Sequence, residues 1–283
     1  MSVMINPTLG AEQIELRRHQ LGLDQPVYVQ YFRWLQELLR GNLGYSMATG
    51  EPVSAIIASR VPNTITLMGA ALVLSLVIAV PAGTISALKP KSMADYLVTV
   101  VSFAGLCTPT FFLGLIFIYL FSLSLGVLPS GGTQSFGPSG GTILDRLQHL
   151  VLPAMVLGAF SAAEFTRYIR SSLIEVLHQQ YITTARAKGL SETRVTLLHA
   201  GRNALIPVIT LLGMRVPTLF SGAVLTETVF SWPGMGRLLV NAVLQRDSAV
   251  LVGMVLLIGV LVMAGNLTAD LMYVIVDPRI RYR

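Results

Sequence analysis

Residues 64–88 read TITLMGAALVLSLVIAVPAGTISAL. No charged side chain interrupts the run, and Leu, Val, Ile and Ala dominate it. A bilayer core takes about 20 apolar residues of helix to cross. Backbone groups exposed to lipid must bond within their own segment, so the run is a helix. Four further stretches have the same character: 96–121, 150–172, 204–226 and 248–275. The chain therefore reads as an all-α, polytopic membrane helix bundle with five visible spans.

Composition agrees. Of 283 residues, 53% are hydrophobic and 12% charged, whereas soluble domains carry roughly 25% charge. The net charge of +6 does not point to nucleic acid, because apolar runs split the basic residues. The lone Cys107 excludes an intrachain disulfide and reads as a small buried apolar residue. Small residues recur in the spans, among them Gly69, Gly158, Gly222, Gly253, Gly259 and Gly265. They let helices approach closely and favour a packed bundle. Prolines 81, 109, 153, 207 and 217 are expected to kink or break helices.

Orientation follows the basic residues. The connection 167–202 holds Arg167, Arg170, Arg186, Lys188, Arg194 and Arg202. Lys89 and Lys91 follow the first span, and Arg279, Arg281 and Arg283 close the chain. Helix parity puts these on one face, the cytoplasmic one, with the C-terminus. The Gly-rich loop 123–148 and the loop 227–247 fall on the opposite face. Residues 1–63 form an extracytoplasmic N-terminal segment, and 64–283 the transmembrane domain. The N-terminal segment has no signal-peptide core, so a further apolar segment upstream of Met1 is expected, giving six spans. Within it, Asp24 and Pro26 start a helix that Gly41 ends. Val27, Tyr31, Trp34, Leu35 and Leu38 share one side of that helix, which is expected to rest on the bundle or on the membrane surface, with docking of a partner as the alternative.

The stretch YITTARAKGL (181–190) is the exception to the apolar theme. Tyr181, Ile182 and Ala185 share a helical face. Gly189 suits the left-handed residue that ends a helix. Ser191 suits an N-cap, with Glu192 in the first turn. A short helix, a corner and a second short helix over about 181–194 form a shaped protrusion rather than a loose basic loop.

Here the sequence resembles a known family. YITTARAKGLSETRVTLLHAGRNALIPV is similar to the cytoplasmic motif of ATP-binding-cassette importer permeases, closest to the dipeptide/oligopeptide/nickel permease family. LGLDQPVYVQYFRWLQELLRGNLGYS (21–46), PVSAIIASRVPNTITL (52–67), TETVFSWPGMGRLLVNAV (226–243) and the closing DPRIRYR carry it further. The resemblance implies a type I importer permease fold, working in the bacterial inner membrane. It implies a second, homologous permease chain, two ATPase subunits and an extracytoplasmic substrate-binding protein as partners. Tyr181, Ala185, Gly189 and Leu190 would meet the ATPase, with Arg186 and Lys188 at the rim. ATP and magnesium would belong to the ATPases, since no phosphate-binding G-x-x-x-x-G-K-[ST] loop occurs here. Peptides lead as cargo, with nickel, glutathione or another small solute as alternatives.

Two charges depart from that family pattern. Glu164 and Arg215 lie inside spans, where charge is expensive. They pair across the bundle, or Arg215 faces the pathway and meets a peptide carboxylate. Phe230 and Trp232 belong either to a membrane-surface anchor or to a scoop-like element at the mouth of the pathway. An intramembrane enzyme is disfavoured. His19, His149, His178 and His199 are not paired at ligand spacing and read as surface residues, and Ser75 and Ser102 have no base near them in sequence.

Overall fold

The computed structural model describes residues 24–135, 137, 140–209, 211–212 and 223–276, with side chains to residue 267. Its helices are α1 (Val27–Leu39), α2 (Val53–Leu88), α3 (Met93–Cys107), α4 (Thr110–Phe117), α5 (Ile143–Leu177), α6 (Gln180–Ala187) and α7 (Glu192–Arg194). A π-helical run, Val195–Ala200, leads into α8 (Gly201–Ala204). After the residues that are not described come α9 (Val224–Val229), α10 (Met235–Leu244) and α11 (Ser248–Val276).

Helices α2 and α5 form the spine, packing along much of their length. Glycines set their separation. A Cβ on Gly83 would stand 2.8 Å from the Ile169 Cβ, and one on Gly158 3.1 Å from the Ala71 carbonyl oxygen. Gly253 likewise admits Val53, whereas Gly69 and Gly259 face open space. Thus only some of the small residues serve close packing.

By length and composition, α2, α5 and Ser248–Leu267 of α11 can each cross a membrane. The predicted span 96–121 differs. It divides into α3 and a helix over Thr110–Ser124, bent by 104°. Pro109 causes the break. Thr108 before it is extended, at φ −84° and ψ 122°, as the proline ring demands. Pro62, Pro81 and Pro153 lie within helices that run on through them. Helix α2 also begins at Val53, before the predicted boundary. About half of the predicted span 204–226, Arg215 included, lies outside the described residues, as do Arg279, Arg281 and Arg283.

The reading of Cys107 is corrected. It is exposed, although Gly105, two residues before it, still lies against Ala163 of α5. His149 is corrected in the other direction. It is buried, and its Nδ1 donates to the Asp145 carbonyl at 2.8 Å. The Asp145 carboxylate in turn accepts from the Ser135 and Gly141 amides, so this pair ties the Gly-rich loop to the start of α5.

Candidate functional site

The elbow between α5 and α8 is rigid for local reasons. The Gly189 amide donates to the Arg186 carbonyl at 2.9 Å and the Leu190 amide to the Ala185 carbonyl at 3.4 Å. That pair of reversed bonds satisfies the last carbonyls of α6 and needs a left-handed residue between them. Gly189 supplies it at φ +78°. The next helix starts at Ser191, whose backbone has cap geometry but whose hydroxyl makes no cap bond. Glu192 instead reaches across the corner, accepting from Arg186 Nε at 2.8 Å and Nη2 at 3.2 Å. Both partners are largely exposed, so this clamp adds at most about 1 kcal/mol.

The elbow is also seated. Ile182 and Ala185 pack with Ala87, Leu173, Val195, Ala200 and Ala204, and Leu190 lies against the same cluster. Ala185 and Leu190, both expected at the contact, thus also pack within the chain. Ala185 is 7% exposed and points into the chain's own core. Tyr181, Arg186 and Lys188 remain exposed. Asn203 Nδ2 donates to the Tyr181 hydroxyl at 2.7 Å, fixing that ring beside a cavity of about 1090 Å³.

Sequence reading missed the tie at the base of the elbow. Arg170 on α5 donates to both carboxylate oxygens of Asp95 on α3, Nε at 2.7 Å and Nη2 at 2.9 Å. Ser86 of α2 donates to the same carboxylate. Asp95 is buried and Arg170 one-third exposed. One network thus locks three helices. The available signal was an aspartate three residues after a capping serine, Ser92, at the start of an apolar helix.

The other end of the molecule holds the α9–α10 hairpin. Phe230 packs on Leu152 and Val156, and Trp232 on Leu67 and Ala154. The Trp232 indole donates to the Asn63 carbonyl at 2.9 Å. The membrane-anchor reading of Trp232 is therefore corrected: a 4% exposed ring with its N–H satisfied inside the chain cannot sit among headgroups. Its ring borders a cavity of about 380 Å³ with Asn63, Thr66, Gln134 and Arg146. Glu227, which sequence reading passed over, organises the hairpin. It is fully buried. Its Oε1 accepts from the Thr64 hydroxyl at 3.1 Å and its Oε2 from the Arg237 amide at 2.9 Å. The carboxylate thereby caps the N-terminus of α10, where negative charge is favoured. Glu164 is half-buried on α5.

A family model described as the inner membrane component of binding-protein-dependent transport systems matches residues 79–282. Its N-terminal counterpart matches residues 3–68. The chain belongs to this family. It is 45% identical over 283 residues to the oligopeptide transport system permease protein AppB of Bacillus subtilis, covering all of this chain and 89% of that one. It is 42% identical to the di/tripeptide transport system permease protein DppB of Pseudomonas aeruginosa, over 99% of this chain and 87% of that one. To the glutathione transport system permease protein GsiC of Escherichia coli K12 it is 39% identical, over 99% and 88%. Among solved structures, the inward-facing MetNI methionine ABC transporter aligns with TM-score 0.61 at 16% identity, over 78% of this chain and 96% of that one. The permease fold is shared. This family member is a membrane-embedded permease subunit of an ABC importer, and its relatives are permeases rather than enzymes.

Proposed function

We propose that this permease forms, with a second permease chain, a pathway for di- and oligopeptides handed over by an extracytoplasmic binding protein. Two separate ATPase subunits drive it. The names of its full-length relatives support peptides as cargo, and the glutathione permease among them keeps that small peptide as the second reading. The carrying observation for coupling is the elbow itself: Ile182 and Ala185 pack it into the bundle, while Tyr181, Arg186 and Lys188 remain exposed to a partner.

In this reading the elbow lies on the cytoplasmic side and seats in a groove of the ATPase. Closure of the two ATPases pulls the elbows together. The Leu173–Ile182–Val195 cluster passes that displacement to α5, and the Asp95–Arg170–Ser86 network passes it on to α3 and α2. A rigid lever is required, because a loose loop would absorb the motion. At the other end, the Glu227-capped hairpin moves with α2, to which Thr64 and Asn63 bind it. Residues 64–283 then act as the moving domain, and residues 1–63 face the binding protein.

Reconstitution with ATPase subunits and a peptide-binding protein tests the reading. ATP-dependent uptake of labelled dipeptide into vesicles is the expected result. Uptake of glutathione but not of other peptides would move the conclusion to the second cargo, and uptake without ATPases would overturn the mechanism.

A further inference from the structure

We propose that α1 is an interfacial anchor whose aromatic face lies in the headgroup layer of the bilayer at the hairpin end of the molecule. Its sequence, VYVQYFRWLQELL, puts Trp34, Val27, Leu38, Tyr31, Leu35, Tyr28, Leu39 and Phe32 on one broad arc at 100° per residue. Gln30, Arg33, Gln36 and Glu37 occupy the other side. The bundle does not cover this arc: no residue of α1 is buried. Val27 and Leu39, at its two ends, are each 81% exposed, and Tyr28 and Phe32 about two-thirds exposed. Tyr31 meets Phe32 edge-on and Trp34 at a tilt, each with ring centroids 5.8 Å apart, so the face is a preformed aromatic surface. Contiguous apolar surface of this kind on a water-facing helix marks an interaction site.

The depth of α1 identifies what covers it. No charged side chain lies between Asp247 and Asp270, and the 22 residues of α11 between them, at 1.5 Å rise, are enough to cross a hydrocarbon core of about 30 Å. Asp247 therefore stands at the hydrocarbon boundary. Ser46 donates its hydroxyl to Asp247, which places Ser46 at the same level. Only residues 40–45 separate Ser46 from α1, and they double back through Gly41 and Gly44, at φ +84° and +85°. Six residues reach at most about 20 Å, so α1 cannot stand far from the headgroups. Tyr and Trp favour that layer, where one end of the ring is wet and the other apolar. A helix with a wide aromatic arc and a charged back, Arg33 among it, lies in the interface plane. The protein thus grips the bilayer beside the hairpin. The anchor does not depend on which solute is carried.

The chain contains two tryptophans, Trp34 on this face and Trp232 inside the hairpin. The assembled transporter is reconstituted in phosphatidylcholine–phosphatidylglycerol vesicles, as wild type and as Trp34→Phe, and the difference in emission isolates Trp34. The expected result is loss of most of that emission when the lipids carry bromine near the headgroup, with a weaker effect from bromine near the chain ends. Aqueous acrylamide should quench it little. Strong acrylamide quenching without any bromolipid effect would place the face in water and overturn the proposal. Shielding from both quenchers would mean that a protein covers the face, and would overturn it equally.

Discussion

Gly234 has no side chain where the Glu227 carboxylate stands: a methyl there would overlap both carboxylate oxygens. The backbone at Gly234, at φ −99°, is open to any residue, so the constraint is purely spatial. It couples two positions of the TETVFSWPGMG stretch.

Gly234→Ala is accordingly expected to destabilise the hairpin by about 1–3 kcal/mol through overpacking. Glu227→Ala leaves the Arg237 amide without its acceptor and removes the bond from Thr64, for about 1–3 kcal/mol more. In the double variant the clash is gone, so the two losses should not add. Thermal unfolding of the purified single and double variants measures this, and simple additivity would contradict the geometry.

Arg170→Ala should cost about 3 kcal/mol, at the low end for removing one partner of a buried pair, because Arg170 is one-third exposed. Asp95→Asn keeps the shape of the carboxylate and should cost less than Asp95→Ala. Peptide-stimulated ATP hydrolysis by the reconstituted complex should fall in each. Intact coupling in a folded Arg170→Ala transporter would remove the network from the transmission path.

Around Gly189 no atom lies within 4 Å of a would-be Cβ. Substitution therefore acts through the left-handed backbone alone, at about 1–2 kcal/mol for an ordinary residue and less for Asn or Asp. Gly189→Asn should insert, fold and transport. Gly189→Asp should insert and fold equally well but fail in uptake, because it adds a carboxylate to the face offered to the ATPase. Normal uptake by Gly189→Asp would separate the corner from coupling.

Acid should loosen the Ser46–Asp247 joint. Burial opposes ionisation of Asp247, but the Ser46 hydroxyl and the Met47, Val250 and Ala48 amides outweigh it and hold the carboxyl below its usual value. A carboxyl lowered in the folded state stabilises the fold above its unfolded value, about 4, and loses that contribution as pH falls further. Wild type should melt earlier below about pH 4. Asp247→Asn should melt earlier at neutral pH and show a shallower acid dependence, measured by the unfolding midpoint against pH.

Much of this could be read from residues alone. The run 64–88 required a membrane helix, because lipid leaves a backbone no other partner. Gly189 required a corner, because the positive φ of a helix end suits a residue without Cβ. Pro109 marked a weak point in its span. The sequence could not say that Pro109 breaks the helix while Pro81 and Pro153 are absorbed, since that depends on what surrounds the freed carbonyls. Nor could it tell that Trp232 turns inward while the α1 aromatics stay exposed; composition alone treats the two surfaces alike.

The sequence by itself determined the membrane environment, the helical class and the elbow, all of which follow from hydropathy and local backbone preference. Tertiary structure alone decided which charges meet. Asp95 and Arg170 are separated by 75 residues and Thr64 and Glu227 by 163. Only the packing of α2 against α5, together with the folding-back of the hairpin, brings each buried charge to the donors that make its burial affordable.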